Sequence, residues 1–436
     1  MNSITTEQLY QLYKACSAIS TDTRNIPPSS IFFALKGDRF NANTFAARAL
    51  ESGAKWAVVD DEAYATDERF ILVDDVLTTL QALARYHRQQ LDIPVIGITG
   101  TNGKTTTKEL LHAVLSQRFR TYATPGNLNN HIGVPLSLLA IDDGIEVAVI
   151  EMGANHQEEI AFLCSIAAPT HGLITNVGKA HLEGFGSFEG VKKAKGELYD
   201  YLKAHDGVLF LQGDNENLRE MEAQRDIQEI VRYGVSPSNE IIGKLEHATP
   251  LIAVSWKTAG AADANVVQTQ LTGSYNTENI LAAVAVGHFF GLNPAQIKAG
   301  ISTYRPANQR SQIIKTESNT VIADYYNANV SSMEAALDNL AVIGSTHSVI
   351  ILGDMFELGE DTVKEHAYLI HKALALGADR AIFVGKAFYK HQTSAAEFYQ
   401  TTDAAQVALR ERPVKNSTVL LKASRGMAFE KLMEVL

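Results

Sequence analysis

The sequence predicts an α/β protein of three domains built around a parallel sheet, and three observations carry that prediction. The chain has 436 residues, more than one core accommodates when a domain holds about 100–200. From Val95 onward, apolar runs of strand length alternate with helical patterns, which is how βαβ units read. Between one such strand and the helix after it lies a glycine-rich turn, Gly97-Ile-Thr-Gly-Thr-Asn-Gly-Lys-Thr-Thr106.

The first domain is placed at residues 1–92. Apolar stretches at 31–35, 57–59 and 70–73 alternate with polar turns, as in a small α/β unit. Its last helix is expected around Val76 to Gln90, with Leu77, Leu80, Leu83 and Ala84 on one face, ending before Pro94. The second domain, residues 93–304, takes strands at 95–100, 147–153, 172–177 and 207–212. Residues 236–272 lose the helical period and read as short extended pieces, before a long apolar helix at 277–292. The third domain, residues 305–436, takes strands at 320–326, 347–355, 380–385 and 417–424. Ser331 with Glu334 reads as a capping box, starting a helix whose face carries Met333, Ala336, Leu337 and Leu340.

Composition narrows the function classes. Hydrophobic residues at 46% and charged residues at 20% argue against wholesale disorder, collagen and coiled coil. The 38 Lys+Arg against 49 Asp+Glu give a net charge of −11, without the general positive field of a charge-driven nucleic-acid binder, so no nucleic-acid partner is expected. Cys16 and Cys164 lie far apart, in neither disulfide-framework nor zinc spacing, which fits a reducing compartment. The N-terminal stretch lacks a basic segment followed by an apolar one, and no apolar run reaches about 18 residues. The expectation is a cytoplasmic protein with no membrane span.

The glycine-rich turn is the strongest local signal. Gly100 and Gly103 can take backbone angles closed to other residues, letting successive N–H groups point at phosphate oxygens at a helix N-terminus. Lys104 then neutralises the terminal phosphates and Thr105 offers a hydroxyl to Mg²⁺. Ile98 stands where the usual P-loop has its first glycine, so the match is to a shorter variant, GxxGK[ST]T. Glu151 ends an apolar strand, where open α/β sheets place ligand-binding groups, and is a candidate ligand for a hard cation. His181 is a weaker candidate, being one of thirteen histidines. Lys192, Lys193 and Lys195 with Glu197 read, on local grounds, as a solvated helix face.

The order of motifs along the chain resembles the Mur ligase family, ATP-dependent amide-forming enzymes of peptidoglycan precursor synthesis. The matches are GTNGKTT at 100–106, TPGNLNNHIGVP at 124–135, EMGANHQEEI at 151–160, HLEGFGS at 181–187, AKGE at 194–197 and YNTENILAA at 275–283. DYYNANVSS at 324–332, LGDMFELG at 352–359 and KASR at 422–425 extend them through the last third. EMGANH, HLEGFGS, YNAN and GDMFELG are most similar to the branch that adds D-alanyl-D-alanine, and DTRNIPPSSIFFALKGDRF at 22–40 resembles its UDP-binding segment.

The resemblance implies a small N-terminal UDP-binding domain, a central ATP-binding domain and a Rossmann-like C-terminal domain. It implies that ATP phosphorylates the terminal carboxylate of UDP-MurNAc-tripeptide, and that the amine of D-Ala-D-Ala attacks the acyl phosphate. Gly100, Thr101, Asn102, Gly103, Lys104, Thr105 and Thr106 would hold ATP, with Asn276 and Asn279 on the adenine side and Arg310 and Asp324 from the C-terminal domain. Two Mg²⁺ ions are implied, with Thr105, Glu151, His181 and Lys195 at them. Lys195 would serve as a carbamate, an oxygen ligand made from a neutral amine and CO₂. Lys104, Lys195 and His181 are the implied catalytic residues. Thr23, Arg24, Ser30, Lys36, Asn129, Asn130, Tyr326, Asn327 and Asn329 are the implied substrate contacts, in a monomer. Asn276 or Asn279 could instead cap a helix, and Asn327 to Asn329 could be a plain turn.

The chain departs from the family pattern in places. Gln309-Arg310 stands where Gly-Arg is common, Asn41-Ala-Asn-Thr-Phe45 where Asp-Gly-His-Asp-Phe is usual, and Ala423 where glycine is common. Two other readings stay open at this level. One is another amide ligase of the superfamily, such as the enzyme adding the third peptide residue or a folylpolyglutamate synthetase. The other is a nucleotide switch without ligase chemistry.

Overall fold

The structure, a computed structural model, describes residues 4–37, 39–180 and 182–436. Near the N-terminus, short strands form a four-stranded parallel sheet in the order Ile19–Ser20, Ile31–Phe33, Trp56–Val59, Phe70–Leu72. The helix Val76–Gln89 follows, started by Asp75, whose side chain accepts a hydrogen bond from the Thr78 N–H at 2.6 Å. That bond satisfies one of the donors a helix start leaves open. Its buried face carries Val76, Leu80, Leu83 and Ala84, while Leu77 is half-buried.

This face does not close on its own sheet alone. It continues into Val134, Leu138, Ile160 and Leu163 of the following unit as one apolar core. Polar groups seal the same seam: buried Arg88 donates to the carbonyls of Ala167 at 2.9 Å and Ala168 at 3.0 Å, and His87 Nε2 meets the Ile141 carbonyl at 2.9 Å.

The central sheet has nine strands among the described residues. Their order is Asn265–Gln268, Ala253–Thr258, Ile241–His247, Glu229–Gly234, Val208–Gln212, His171–Ile174, Val95–Thr99, Val147–Glu151, Thr121–Ala123. The strands from Thr121–Ala123 through Ile241–His247 pair in parallel, and the last two add antiparallel. Residues 236–272 therefore do form short extended pieces, and pairing gives them a place at the sheet edge. Val95–Thr99 lies between His171–Ile174 and Val147–Glu151, in register Thr99 with Ile174 and Ile98 with Glu151. The chain leaves that strand to one side and returns on the other, so the strand ends open a crevice there.

Helices cover both faces, as parallel strands require. Lys104–Leu115, Asn276–Phe289 and Pro294–Thr303 pack one face through Leu110, Leu111, Val114, Ile280, Val284 and Ile297. Asn276–Phe289 is buried almost all round, which explains why its sequence is apolar on every side. Glu159–Ala167 and Phe188–Ala204 pack the other face.

The last third forms a six-stranded sheet ordered Gln312–Lys315, Thr320–Asp324, Thr418–Lys422, Ser348–Gly353, Arg380–Val384, Glu397–Tyr399, with the first strand antiparallel to the second. The expected capping box at Ser331 and Glu334 is corrected. Asn329 is the N-cap: its side chain accepts from the Ser332 N–H at 2.9 Å, and Ser332 Oγ accepts from the Asn329 N–H at 3.1 Å. Asn329 has the extended backbone a cap needs, so the helix Val330–Ile343 begins before Ser331. No helix of the described residues is long and apolar enough to cross a membrane.

Candidate functional site

The phosphate-loop sequence folds as a left-handed turn into a helix. Gly100 has φ +142° and Gly103 φ +80°. A Cβ at Gly100 would overlap Thr175 Oγ1, and one at Gly103 would lie 2.7 Å from Asn279 Oδ1, so both positions need glycine for space as well as angle. Thr101 Oγ1 accepts from the Gly178 N–H at 2.9 Å, anchoring the loop to the segment after His171–Ile174. Lys104 Nζ donates to the carbonyls of Gly100 at 2.7 Å and Thr101 at 3.2 Å, folding back over its own loop. Burial pushes its ammonium down to about 8, Arg310 adding to the drop and Glu151 opposing it.

Glu151 sits at the end of its strand with two unlike oxygens. Oε1 accepts from Asn129 Nδ2 at 2.8 Å and from Thr105 Oγ1 at 3.3 Å. Oε2 is buried, has no hydrogen-bond partner among the described residues, and lies 3.7 Å from Lys108 Nζ. Lys108 is 2% exposed and also donates to the Gly126 carbonyl at 3.2 Å. Its depth has a signal in the sequence: three and seven residues before Leu111 and Leu115, it falls on the apolar face of the helix. Asn130 lies one residue beyond Asn129, and its Oδ1 accepts from the Gly133 N–H at 2.8 Å.

Lys195 does not belong to a solvated face. It is 2% exposed, with Nζ donating to the Ala154 carbonyl at 3.3 Å and standing 5.2 Å from the Phe185 ring centroid. Burial, then the positive charge of Lys104, push its ammonium down to about 7, with Glu159 and Glu197 offsetting part of this. The solvated reading fits Lys193 instead, which is exposed. Lys195 stands behind the Ala154 wall rather than on the cavity surface. His181 lies outside the described residues.

The C-terminal sheet contributes the opposite wall. Asp324 accepts from Lys422 Nζ at 2.6 Å and from the Ser311 N–H at 3.0 Å. Lys422, the first residue of the KASR segment, is a buried cation with no local signal of that depth beyond the apolar strand it ends. Arg310 stacks 4.0 Å above the Tyr326 ring, between Gln309 and Ser311, which both have positive φ. Asn327 Oδ1 accepts from the next N–H at 2.9 Å. Asn276 and Asn279 are tied beneath the loop: Asn276 Nδ2 donates to the Thr272 carbonyl, Asn279 Nδ2 to Asn276 Oδ1, and Thr107 Oγ1 to Asn279 Oδ1. Asn276 is inside its helix rather than its cap, and makes no capping bond.

These groups surround a cavity of about 560 Å³, lined by residues 101–106, Asn129, Asn130, Glu151, Asn276, Asn279, Arg310, Asp324, Tyr326, Asn327 and Asn329 among others. Gly100 is not among the lining residues. The four N-terminal candidates are not in its wall. Thr23 is half-buried, and Arg24 is exposed and held by Asp22 through Nη2 at 2.6 Å. Lys36 pairs with Asp60 at 2.7 Å. Ser30 is fully buried, its hydroxyl without a partner among the described residues.

Among the described residues no three His, Cys, Asp or Glu side chains cluster as a ready-made metal cage. The donors at the loop fit a different kind of site. A hydroxyl on Thr105, a carboxylate on Glu151 and one buried carboxylate oxygen without a hydrogen bond suit a hard divalent cation. Such a cation completes its shell with phosphate oxygens and water.

Comparison with known proteins gives consistent matches. Residues 98–287 match the Mur ligase middle domain and residues 309–425 the Mur ligase glutamate ligase domain. The chain is 35% identical over 430 residues to the UDP-N-acetylmuramoyl-tripeptide–D-alanyl-D-alanine ligase of Bacillus subtilis, covering 95% of this chain and 92% of that one. A crystal structure of MurF from Acinetobacter baumannii superposes with a TM-score of 0.87 at 30% identity, covering 99% and 98% of the two chains. The MurF ligase of Thermotoga maritima, solved with ADP, gives 0.85 at 25% identity over 97% of each chain.

Proposed function

The chain belongs to the Mur ligase family, and on that premise we propose that it joins D-alanyl-D-alanine to UDP-N-acetylmuramoyl-tripeptide, converting ATP to ADP and phosphate. One observation supports this most. The phosphate loop, Glu151 and the 324–329 segment, each recognisable in sequence, come from two domains and face one cavity.

The two reactants, a carboxylate and the terminal phosphate of ATP, repel each other, so the site must supply positive charge and alignment. Backbone N–H groups at the start of Lys104–Leu115 meet the phosphates. Lys104 exchanges the carbonyls of Gly100 and Thr101 for phosphate oxygens, which hold its proton more firmly than burial now allows. Asn276 and Asn279 take the adenine side, with Arg310 and Asp324 closing on the nucleotide from the C-terminal domain. The tripeptide carboxylate takes the terminal phosphoryl group and ADP leaves. The amine of D-Ala-D-Ala then attacks the acyl carbon, and phosphate departs with the amide formed and one proton released.

Two Mg²⁺ ions fit this reading, and when bound they neutralise charge between the phosphates and the carboxylate. Thr105 and Glu151 would hold the first, and Glu151, His181 and a carbamate on Lys195 the second. An amine pushed to about 7 is uncharged in a large fraction at neutral pH, the form that captures CO₂. Thr23, Arg24, Ser30 and Lys36 on the N-terminal domain, with Asn129, Asn130, Tyr326, Asn327 and Asn329 in the cavity, remain the proposed substrate contacts. Residues 1–92, 93–304 and 305–436 are proposed as the UDP-binding, ATP-binding and Rossmann-like C-terminal domains. A monomer acting on small-molecule substrates in the cytoplasm belongs to the same proposal.

ADP release tests the assignment. It should require Mg²⁺, UDP-MurNAc-tripeptide and D-Ala-D-Ala together. Equal turnover with UDP-MurNAc-dipeptide and a single L-amino acid would move the chain to the neighbouring ligase of the family.

A further inference from the structure

Asn102 belongs to the phosphate loop by sequence, yet its carboxamide is bonded to the C-terminal domain. Its backbone is fixed to the central domain on both sides. The N–H donates to Asn176 Oδ1 at 3.0 Å, and the carbonyl accepts from Thr175 Oγ1 at 2.6 Å and Asn176 Nδ2 at 3.1 Å. The side chain then crosses the cleft. Asn102 Nδ2 donates to Ser331 Oγ at 2.8 Å, Ser331 Oγ donates to Asn329 Oδ1 at 3.0 Å, and Asn329 Nδ2 donates back to Asn102 Oδ1 at 2.8 Å.

The three side chains close a ring in which each link has one donor and one acceptor, an arrangement whose bonds reinforce one another. A backbone group fixes its direction. The Ser332 N–H donates to Asn329 Oδ1, so the other end of that amide is nitrogen, which sets Asn102 Oδ1 and then Asn102 Nδ2 in turn. Gly178 leaves the room for it: a Cβ there would lie 3.1 Å from Ser331 Oγ. The N–H, the carbonyl and both ends of the Asn102 amide are each engaged within the protein, so its carboxamide is turned toward the C-terminal domain.

We propose that Asn102 is a positioning residue whose carboxamide latches the start of the Val330–Ile343 helix onto the phosphate loop. The 324–329 segment is held over the loop while this ring is closed. The inference rests on the proposed ligase function only for its kinetic readout.

Asn102→Ala, Ser331→Ala and the double variant test it, once melting temperatures show each is folded. Each single variant should lower kcat about tenfold, the scale of one or two neutral hydrogen bonds, with KM for ATP changed by less than about twofold. The double variant should lose no more than Asn102→Ala alone, because both changes break one ring. Small-angle X-ray scattering without substrates should give a larger radius of gyration for both single variants, and Ser331→Thr, which keeps the hydroxyl, should restore the parent's value. Should Asn102→Ala not fold, Ser331→Ala and Ser331→Thr read the same latch. Additive losses, an unchanged radius of gyration, or a loss confined to KM for ATP would overturn the proposal. Scattering needs no turnover, so failure of the ligase assay leaves the latch test standing.

Discussion

Lys195 and Lys108 show how two buried lysines diverge through their partners. Lys108 faces the carboxylate of Glu151, and removing either would leave a lone charge in the interior. Lys195 has a carbonyl and an aromatic face for company and no carboxylate within ion-pair distance among the described residues. Its proton is therefore held less tightly in the fold, at about 7, than in the unfolded chain near the ordinary 10.5. Between those values the unfolded chain binds more protons, so the fold gains stability as pH rises through that window. Below about 7 the amine is charged in both states and the burial penalty is full. Lys195→Met should therefore raise the melting temperature of the substrate-free protein most at pH 6, by the equivalent of a few kcal/mol, and the gain should shrink toward pH 10. The same variant should lose turnover. Melting curves across pH that show no gain, or one that grows with pH, would mean that the amine is not held in a desolvated pocket.

Whole elements were legible where burial imposes a pattern on the sequence. The strands Val95–Thr99, Val147–Glu151 and Val208–Gln212 are buried at every residue and appear as continuous apolar runs. Thr121–Ala123, Gln312–Lys315 and Glu397–Tyr399 were missed, being sheet-edge strands of partial burial that exist because a neighbour offers them hydrogen bonds. Asn329 was missed as a cap because the family motif gave it another role, while local chemistry favoured the serine and glutamate after it. In the site, the loop and Glu151 were legible from chemistry at strand ends. The depths of Lys108, Lys195 and Ser30 were not, because facing is decided by tertiary packing. The turn at 309–311 shows a departure from the family pattern meeting a backbone demand. Gln309 is exposed with φ +55°, an angle that glycine holds without strain. Gln309→Gly should raise stability by about 0.5–1 kcal/mol in denaturant titration, the relief of left-handed strain less the entropy of a freer unfolded chain. A loss of that size would mean that the side chain contributes more than the angle costs.

At the scale of the molecule, the three large sheets are not three equal partners. The N-terminal sheet shares one apolar core with the central unit, running from Leu9 and Leu80 through Leu138 and Leu163 to Leu218. The C-terminal sheet keeps its apolar side chains in two clusters of its own, one on each face. Its bonds to the central unit include polar side-chain contacts: the Asn102 ring, Tyr275 with Ser311 at 2.6 Å, and Asn339 Nδ2 with Thr272 Oγ1 at 3.2 Å. Cooperative unfolding follows shared apolar burial, whereas polar interfaces between domains permit independent melting. Calorimetry of the substrate-free protein should therefore show two transitions, one for the N-terminal and central units together and a smaller one for the C-terminal unit. A non-hydrolysable ATP analogue with Mg²⁺ should raise both, because its proposed contacts come from the central and C-terminal domains and ligand binding stabilises whatever forms the site. A separate transition for the N-terminal unit would show that the seam around Arg88 and Leu80 is too weak to couple the two sheets. A single transition without ligand would show that the polar contacts, the Asn102 ring among them, join the C-terminal domain as firmly as an apolar core does.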